Sequence, residues 1–224
     1  RGLLSHEECD ALIALGKQRL KASEMGSVNG DATDASGAAS RRTSSSTVFD
    51  APEDAQDALL QRLRHRWADV AGEPIARAEP TQITRYGKGE AYGLHLDASD
   101  EVLRRATVLT YLSDGFVGGE TSFPRVAAGQ AQGSRLRGVM KPLEKLAAAG
   151  LLAQELGRFD EYCSDKRAVL RAAARKGDAL LFFPLRPDDL EPDHDAVHGG
   201  CPVRSDGEPK WISQQWFTSV RLRK

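Results

Sequence analysis

Cysteine is scarce: Cys9, Cys163 and Cys201 are the only three among 224 residues. That is too few for a disulfide framework, and they are too scattered for a zinc knuckle. Cys163 and Cys201 make one conceivable pair, but three separate buried thiols fit the sequence equally well, so the redox compartment stays open. No apolar run approaches the roughly 18 residues that would cross a bilayer. Neither sign of charge prevails, since 31 basic and 32 acidic side chains leave a formal net charge of -1. The balance therefore gives no argument for nucleic acid or for an anionic membrane surface. There is no internal repeat. The chain opens on Arg1 rather than methionine, so any leader or anchor would lie outside view and its absence here decides nothing.

What is present describes an ordinary globular chain. Hydrophobic residues make up 40% and charged residues 28% of it, and its length suits a single large domain with a substantial core. The opening "GLLSHEECDALIALGKQRL" reads as a helix, with Ser5 and Glu8 forming a capping box ahead of Leu12, Leu15 and Leu20. Residues 26–47 are rich in Gly, Ser, Ala and Thr without periodicity. They read as a flexible loop, with Arg41 to Ser46 entering a strand. A second helix follows over roughly 51–72, with Pro52 in its first turn and Gly72 as its stop.

From residue 76 onward the pattern changes to short strands bounded by Gly, Pro or Asp. Helices first and strands afterwards predict an α+β, mainly β fold, with N-terminal helices packed on one sheet of an antiparallel sandwich or jelly roll. Residues 1–75 would be helical support and 76–224 the jelly-roll core. Residues 126–168 interrupt the strand rhythm, and "KPLEKLAAAGLLAQELGRF" within them predicts a helical insertion.

The chemistry concentrates in "YGLHLDAS", residues 92–99. Alternate side chains of a strand share a face, which puts His95 with Asp97 and Leu94 with Leu96. A bare His-x-Asp reads either as a half-solvated strand edge or as two metal ligands. His6 and His65 fall in the helices beside charged neighbours and read as surface residues. His194 precedes His198 by four residues, but Pro192 and the acidic turn composition argue against a helix there. His95, Asp97 and His198 together make two imidazoles and a carboxylate, the donor set that leaves three positions open on an octahedral ferrous ion. A closed zinc site would need a fourth ligand, and none is well placed. Lys210, in "KWISQQWF", reads either as a surface lysine or as a buried anchor for a carboxylate.

Six segments in order carry a resemblance: "LLSHEECDALIALGK", "RRTSSSTVF", "AEPTQITRYGKGEAYGLHLD", "RRATVLTYLSDGFVGGETSFP", "RKGDALLFFPL" and "VHGGCPV" with "KWISQQWF". With these blocks the chain resembles the prolyl 4-hydroxylase catalytic domains of the 2-oxoglutarate- and Fe(II)-dependent dioxygenases. The resemblance implies a double-stranded β-helix and iron held by His95, Asp97 and His198. It implies that Lys210 binds the distal carboxylate of 2-oxoglutarate, with hydroxyl contacts from Tyr86 and Thr121. Tyr92 and Trp216 would line a peptide groove, and Arg41 or Arg42, together with Arg105, would be arginines on the substrate side. Three departures accompany it. The turn "RSDGEP" lengthens the interval between His198 and Lys210, the 126–168 insertion is longer than in a minimal domain, and the 26–47 loop is unusually polar.

The implied cofactors are Fe(II), 2-oxoglutarate and dioxygen, with ascorbate as reductant. The implied reaction couples decarboxylation of 2-oxoglutarate to succinate with hydroxylation of a peptidyl proline in a proline-rich or collagen-like segment. A polyproline II ligand suits an aromatic-lined groove. Rival readings are an oxygenase of the same class acting on a free amino acid or other small molecule, and a metal-holding peptide-binding module without turnover. The family resemblance leans toward the secretory pathway (endoplasmic reticulum or Golgi), with cytoplasmic relatives also existing. Oligomeric state, target protein and the role of the insertion are not legible.

Overall fold

The structure is a computed structural model and describes residues 1–22, 43–52, 54–98, 102–128 and 159–219. Helix α1 (His6–Lys17) begins where the sequence places its cap. Ser5 Oγ accepts from the Glu8 amide at 3.2 Å, and the Glu8 carboxylate accepts from the Ser5 amide at 3.0 Å. Two strands, β1 (Lys21–Ala22) and β2 (Ser45–Phe49), precede helix α2 (Ala58–Ala71). Helix α2 starts later than the sequence suggested. Asp57 caps it by accepting from the Leu60 amide at 2.9 Å, and Pro52 lies ahead of a separate 3-10 turn, Asp54–Gln56. Gly72 ends the helix with φ of 66°, a left-handed conformation that glycine adopts without a Cβ penalty.

Eight further strands follow: β3 (Thr81–Tyr86), β4 (Tyr92–His95), β5 (Arg104–Tyr111), β6 (Thr121–Ala127), β7 (Val169–Ala172), β8 (Ala179–Phe182), β9 (His198–Gly200) and β10 (Lys210–Thr218). A single helical turn, α3 (Phe159–Tyr162), precedes β7. The strands form a six-stranded sheet in the order β1-β2-β3-β10-β5-β8 and a four-stranded sheet in the order β4-β9-β6-β7. Every pairing is antiparallel. This is the expected mainly β jelly roll with helices on one sheet.

The two-residue period of the strands divides the interior into two layers. On β5, Ala106 and Val108 face the helices, where they meet Leu12, Leu60, Leu63 and Trp67. On β10, Trp211 and Phe217 do the same. The alternate residues Leu109, Tyr111 and Ile212 turn between the two sheets and pack with Tyr86, Phe123 and Phe182. Trp67 closes the helix layer and donates its indole N–H to Thr110 Oγ1 at 3.2 Å. Both expected surface histidines, His6 and His65, are exposed.

Strand β6 runs to Ala127, so the insertion begins slightly later than its composition suggested. The helical segment read in residues 141–159 lies outside the described residues except for Phe159, as do Arg41, Arg42 and most of the 26–47 loop. Cys163 and Cys201 form a disulfide, leaving Cys9 as a buried free thiol. Among the described residues no helix is long and apolar enough to cross a membrane.

Candidate active site

The two sheets bring four polar side chains into one apolar interior. His95 ends β4 and His198 begins β9, and the two are direct cross-strand partners. Asp97 follows two residues later, just past the end of β4, yet it still turns to the same interior. Ligand atoms of His95, Asp97 and His198 all lie within 4.8 Å of one another. His95 Nε2 is 3.5 Å from Asp97 Oδ1, and His198 Nε2 is 3.9 Å from Asp97 Oδ2.

Both imidazoles are oriented by their own backbone. His95 Nδ1 contacts the Gly93 carbonyl at 2.9 Å and His198 Nδ1 contacts the Ala196 carbonyl at 3.0 Å. A carbonyl can only accept, so each Nδ1 carries the proton and each Nε2 lone pair faces the cluster. Burial pushes His198 down to about 4, the His95 charge adds to that, and Asp97 only partly opposes it. His198 is accordingly neutral at physiological pH. Burial by itself would raise the Asp97 carboxyl. In the acid range, where the imidazoles are protonated, the charges of His198 and His95, the His95 contact and the Arg104 charge together outweigh it and hold the group well below the usual carboxylate range. Asp97 Oδ2 also accepts from Thr107 Oγ1 at 2.8 Å and from Trp216 Nε1 at 3.1 Å, which favours the same ionised form.

Aromatic rings enclose the cluster. Tyr92 stacks on His95 with centroids 3.8 Å apart, and Phe182 and Phe123 stand 4.6 Å and 5.6 Å from His198. The second polar feature is Lys210, at the start of β10 and paired across the sheet with Tyr86. It is only 1% exposed, so the buried-anchor reading of its position prevails over the surface one. Its ammonium stands 4.9 Å from the Tyr86 ring centroid and 5.9 Å from that of Tyr111. Among the described residues no carboxylate pairs with it. Burial pushes its pKa down to about 8, with Glu120 acting weakly in the other direction.

Close by, the Tyr111 hydroxyl donates to Thr121 Oγ1 at 2.7 Å, with the Ala172 carbonyl as a second acceptor at 3.2 Å. Gly119 makes room for the lysine stem. Its φ is 72°, and a Cβ there would lie 2.8 Å from Phe116 and 3.2 Å from Lys210 Cδ.

The remaining expected residues separate. Tyr92 joins the cluster through its ring. Trp216 is 7% exposed and bonded to Asp97. Arg105 pairs with Glu73 at 2.9 Å and lines a cavity of about 710 Å³, whose wall includes the same Phe123 and Phe182 that pack on His198. Sequence reasoning missed Thr107, Tyr111 and Arg104. The alternation of β5 held a signal for the first two, because Thr107 and Tyr111 occupy the inward phase of that strand. Nothing local distinguished Arg104 from Arg105.

The donor set suits a ferrous ion. His95 Nε2 is buried with no hydrogen-bond partner, a state that costs free energy unless something else takes the lone pair. Two imidazoles and one carboxylate match an N2O facial set. With two of the three cysteines in a disulfide, no thiolate is at hand to close a zinc site. Likewise an unpaired buried ammonium fits a ligand carboxylate.

Residues 81–218 match the family model of the 2OG-Fe(II) oxygenase superfamily. The chain belongs to that superfamily. Within this 2OG-Fe(II) oxygenase family, a relative is "Probable prolyl 4-hydroxylase 3" of Arabidopsis thaliana, 32% identical over 224 residues, which cover 96% of this chain and 66% of the relative. "Prolyl 4-hydroxylase 2" of the same plant is also 32% identical, over 96% of this chain and 64% of its own length. The chain thus spans slightly less than two thirds of these curated relatives. The fold is shared with the viral collagen prolyl hydroxylase of Paramecium Bursaria Chlorella virus-1, solved as a 2OG complex. That similarity has a TM-score of 0.56 at 21% identity and covers 99% of this oxygenase and 94% of the viral chain.

Proposed function

We propose that this oxygenase hydroxylates a peptidyl proline at C4, using Fe(II), 2-oxoglutarate and dioxygen, and that His95, Asp97 and His198 hold the metal. The observation that carries the reading is one interior holding both a three-donor cluster and a buried, unpaired lysine. A peptide-binding module without turnover has no use for that combination. The curated relatives named as prolyl 4-hydroxylases support proline as the target.

Overall, one dioxygen, one 2-oxoglutarate and one C–H bond become succinate, carbon dioxide and C–OH. When bound, the iron supplies the activation of dioxygen that this coupling needs. The chain's own groups do the rest. Lys210 receives the distal carboxylate of 2-oxoglutarate by a charge-assisted hydrogen bond, with the hydroxyls of Thr121 and Tyr86 as candidates for further contacts. Phe123, Phe182 and Tyr92 keep water from the cluster. Asp97 serves as a ligand and not as a general base, because its two donors and neighbouring charges lower its affinity for a proton. Arg105, on the rim of the 710 Å³ cavity, is a candidate contact for the peptide, as are Arg41 and Arg42 beyond the described residues. The substrate is a proline-rich or collagen-like segment in the extended form that aromatic surfaces recognise.

The test is succinate formation with Fe(II), ascorbate and 2-oxoglutarate, with and without a proline-rich peptide, followed by mass analysis of the peptide. Peptide-stimulated succinate and one added oxygen on proline are expected. Succinate that no peptide stimulates, with no oxygen gained on proline, would refute the peptidyl assignment and leave a small-molecule oxygenase.

A further inference from the structure

Trp216 and Thr107 make an unusual arrangement around Asp97. Both donate to the same carboxylate oxygen, Oδ2, from different strands: Thr107 from β5 at 2.8 Å and Trp216 from β10 at 3.1 Å. Oδ1 is the oxygen nearer His95 Nε2, at 3.5 Å. The indole is braced in turn. Arg104 lies over the Trp216 ring with its guanidinium carbon 4.0 Å from the centroid. Its Nε and Nη2 fork onto the two oxygens of Glu79, each at 2.8 Å. Glu79 also receives the Thr218 hydroxyl, and its backbone amide donates to the Trp216 carbonyl at 2.9 Å. A chain of contacts therefore runs from a surface-side ion pair, through a stacked indole, to one oxygen of Asp97.

Resting on the metal reading above, we propose that Thr107 and Trp216 are positioning residues. They pin Oδ2 and so restrict Asp97 to binding metal through Oδ1, and the Arg104–Glu79 pair holds the indole in place. The reason lies in counting positions. Two histidines and one carboxylate oxygen leave three of six octahedral positions open, and 2-oxoglutarate with dioxygen needs all three. A carboxylate free to rotate can chelate through both oxygens and occupy a third position of its own. Two donors on Oδ2 oppose that rotation, since it would strip a buried carboxylate oxygen of both hydrogen bonds. The inference gives Trp216 a task on the protein side of the centre, whatever face it presents to a peptide.

The test uses the full chain and cobalt(II) as an air-stable probe, without turnover. Thr107→Val removes the hydroxyl at nearly constant volume, Trp216→Phe keeps a ring under Arg104 but removes the N–H, and Thr107→Ser retains the donor. Metal-free proteins are titrated with cobalt and then with 2-oxoglutarate, following the visible spectrum. Each donor-removing variant should change the cobalt spectrum, and the double variant should bind 2-oxoglutarate to the cobalt protein 10- to 100-fold more weakly, the range usual for outer partners of a metal ligand. Thr107→Ser should match the parent. Melting of the metal-free proteins identifies any variant that has merely lost its fold. Folded Thr107→Val and Trp216→Phe proteins with parental spectra and parental 2-oxoglutarate affinity would overturn the proposal. A parent chain that binds no cobalt would instead overturn the metal reading on which it rests.

Discussion

Lys210 offers a perturbation whose effects on stability and on function should have opposite signs. Its ammonium is buried without a carboxylate partner among the described residues, and burial takes its pKa from the usual 10.5 to about 8. A drop of that size corresponds to about 3 kcal/mol of destabilisation while the lysine is charged in both folded and unfolded states. The sign follows from the direction of the shift. Below about pH 8 the penalty is fully present, and it fades as pH rises toward 10.5 because the folded lysine then loses its proton first. Replacing Lys210 by Met keeps a long side chain in the slot and removes the charge. In the absence of metal and 2-oxoglutarate, Lys210→Met should therefore melt on the order of 10 °C higher than the parent at pH 7. The gap should close between pH 8 and 10.5. Conversely, the variant should bind 2-oxoglutarate about 10- to 150-fold more weakly, the value of one hydrogen bond to a charged group. Differential scanning fluorimetry across pH, paired with 2-oxoglutarate titration of the cobalt-loaded protein, reads both effects. A variant that is less stable and binds 2-oxoglutarate normally would refute the reasoning, because the lysine would then have a structural partner and no ligand.

Other outcomes can be checked alongside. Asp97→Ala should abolish succinate formation at every pH rather than shift the optimum, and should weaken metal binding in the same titration. Gly119→Ala introduces a Cβ at a φ of 72° and within 3.2 Å of Lys210 Cδ. It should lower stability by more than about 1 kcal/mol in urea and raise the KM for 2-oxoglutarate. Reducing the Cys163–Cys201 disulfide, which spans 38 residues, should lower unfolding stability by about 2–4 kcal/mol. Denaturation with and without dithiothreitol measures that loss.

The parts of this molecule that were readable in sequence are those set by short-range chemistry. The Ser5–Glu8 box, the Gly72 stop and the strand punctuation all act within a few residues. The order of helices before strands then followed into the layer arrangement. His95, Asp97 and His198 could be read as a set because a ligand trio is recognisable by residue type, and the fold brings their donor atoms within 4.8 Å of one another. The sequence could not tell whether Lys210 was buried, since that depends on β10 lying in mid-sheet between β3 and β5. Nor could it choose Arg104 over Arg105, as strand phase decides which of two adjacent arginines lies on Trp216. The start of α2 was misplaced because Pro52 suits a first turn, while Asp57, a stronger cap, lay five residues further on. The Cys163–Cys201 pair was one of two readings and needed the fold to bring α3 against the end of β9.

That disulfide has a consequence for how the site comes apart. It joins the end of α3 to Cys201, immediately after the strand bearing His198. Strand β4, which brings His95 and leads into Asp97, sits at the outer position of its sheet, and its pairing with β9 is irregular. One candidate ligand, His198, therefore lies beside a covalent tether, whereas the other two lie on and just after a strand that has none. If these residues hold a metal as proposed, it would be the second tether, so the metal-free protein should fray first at β4. Loss of iron would then read out as local hydrogen exchange around residues 92–97, while β9 and the cystine stay closed.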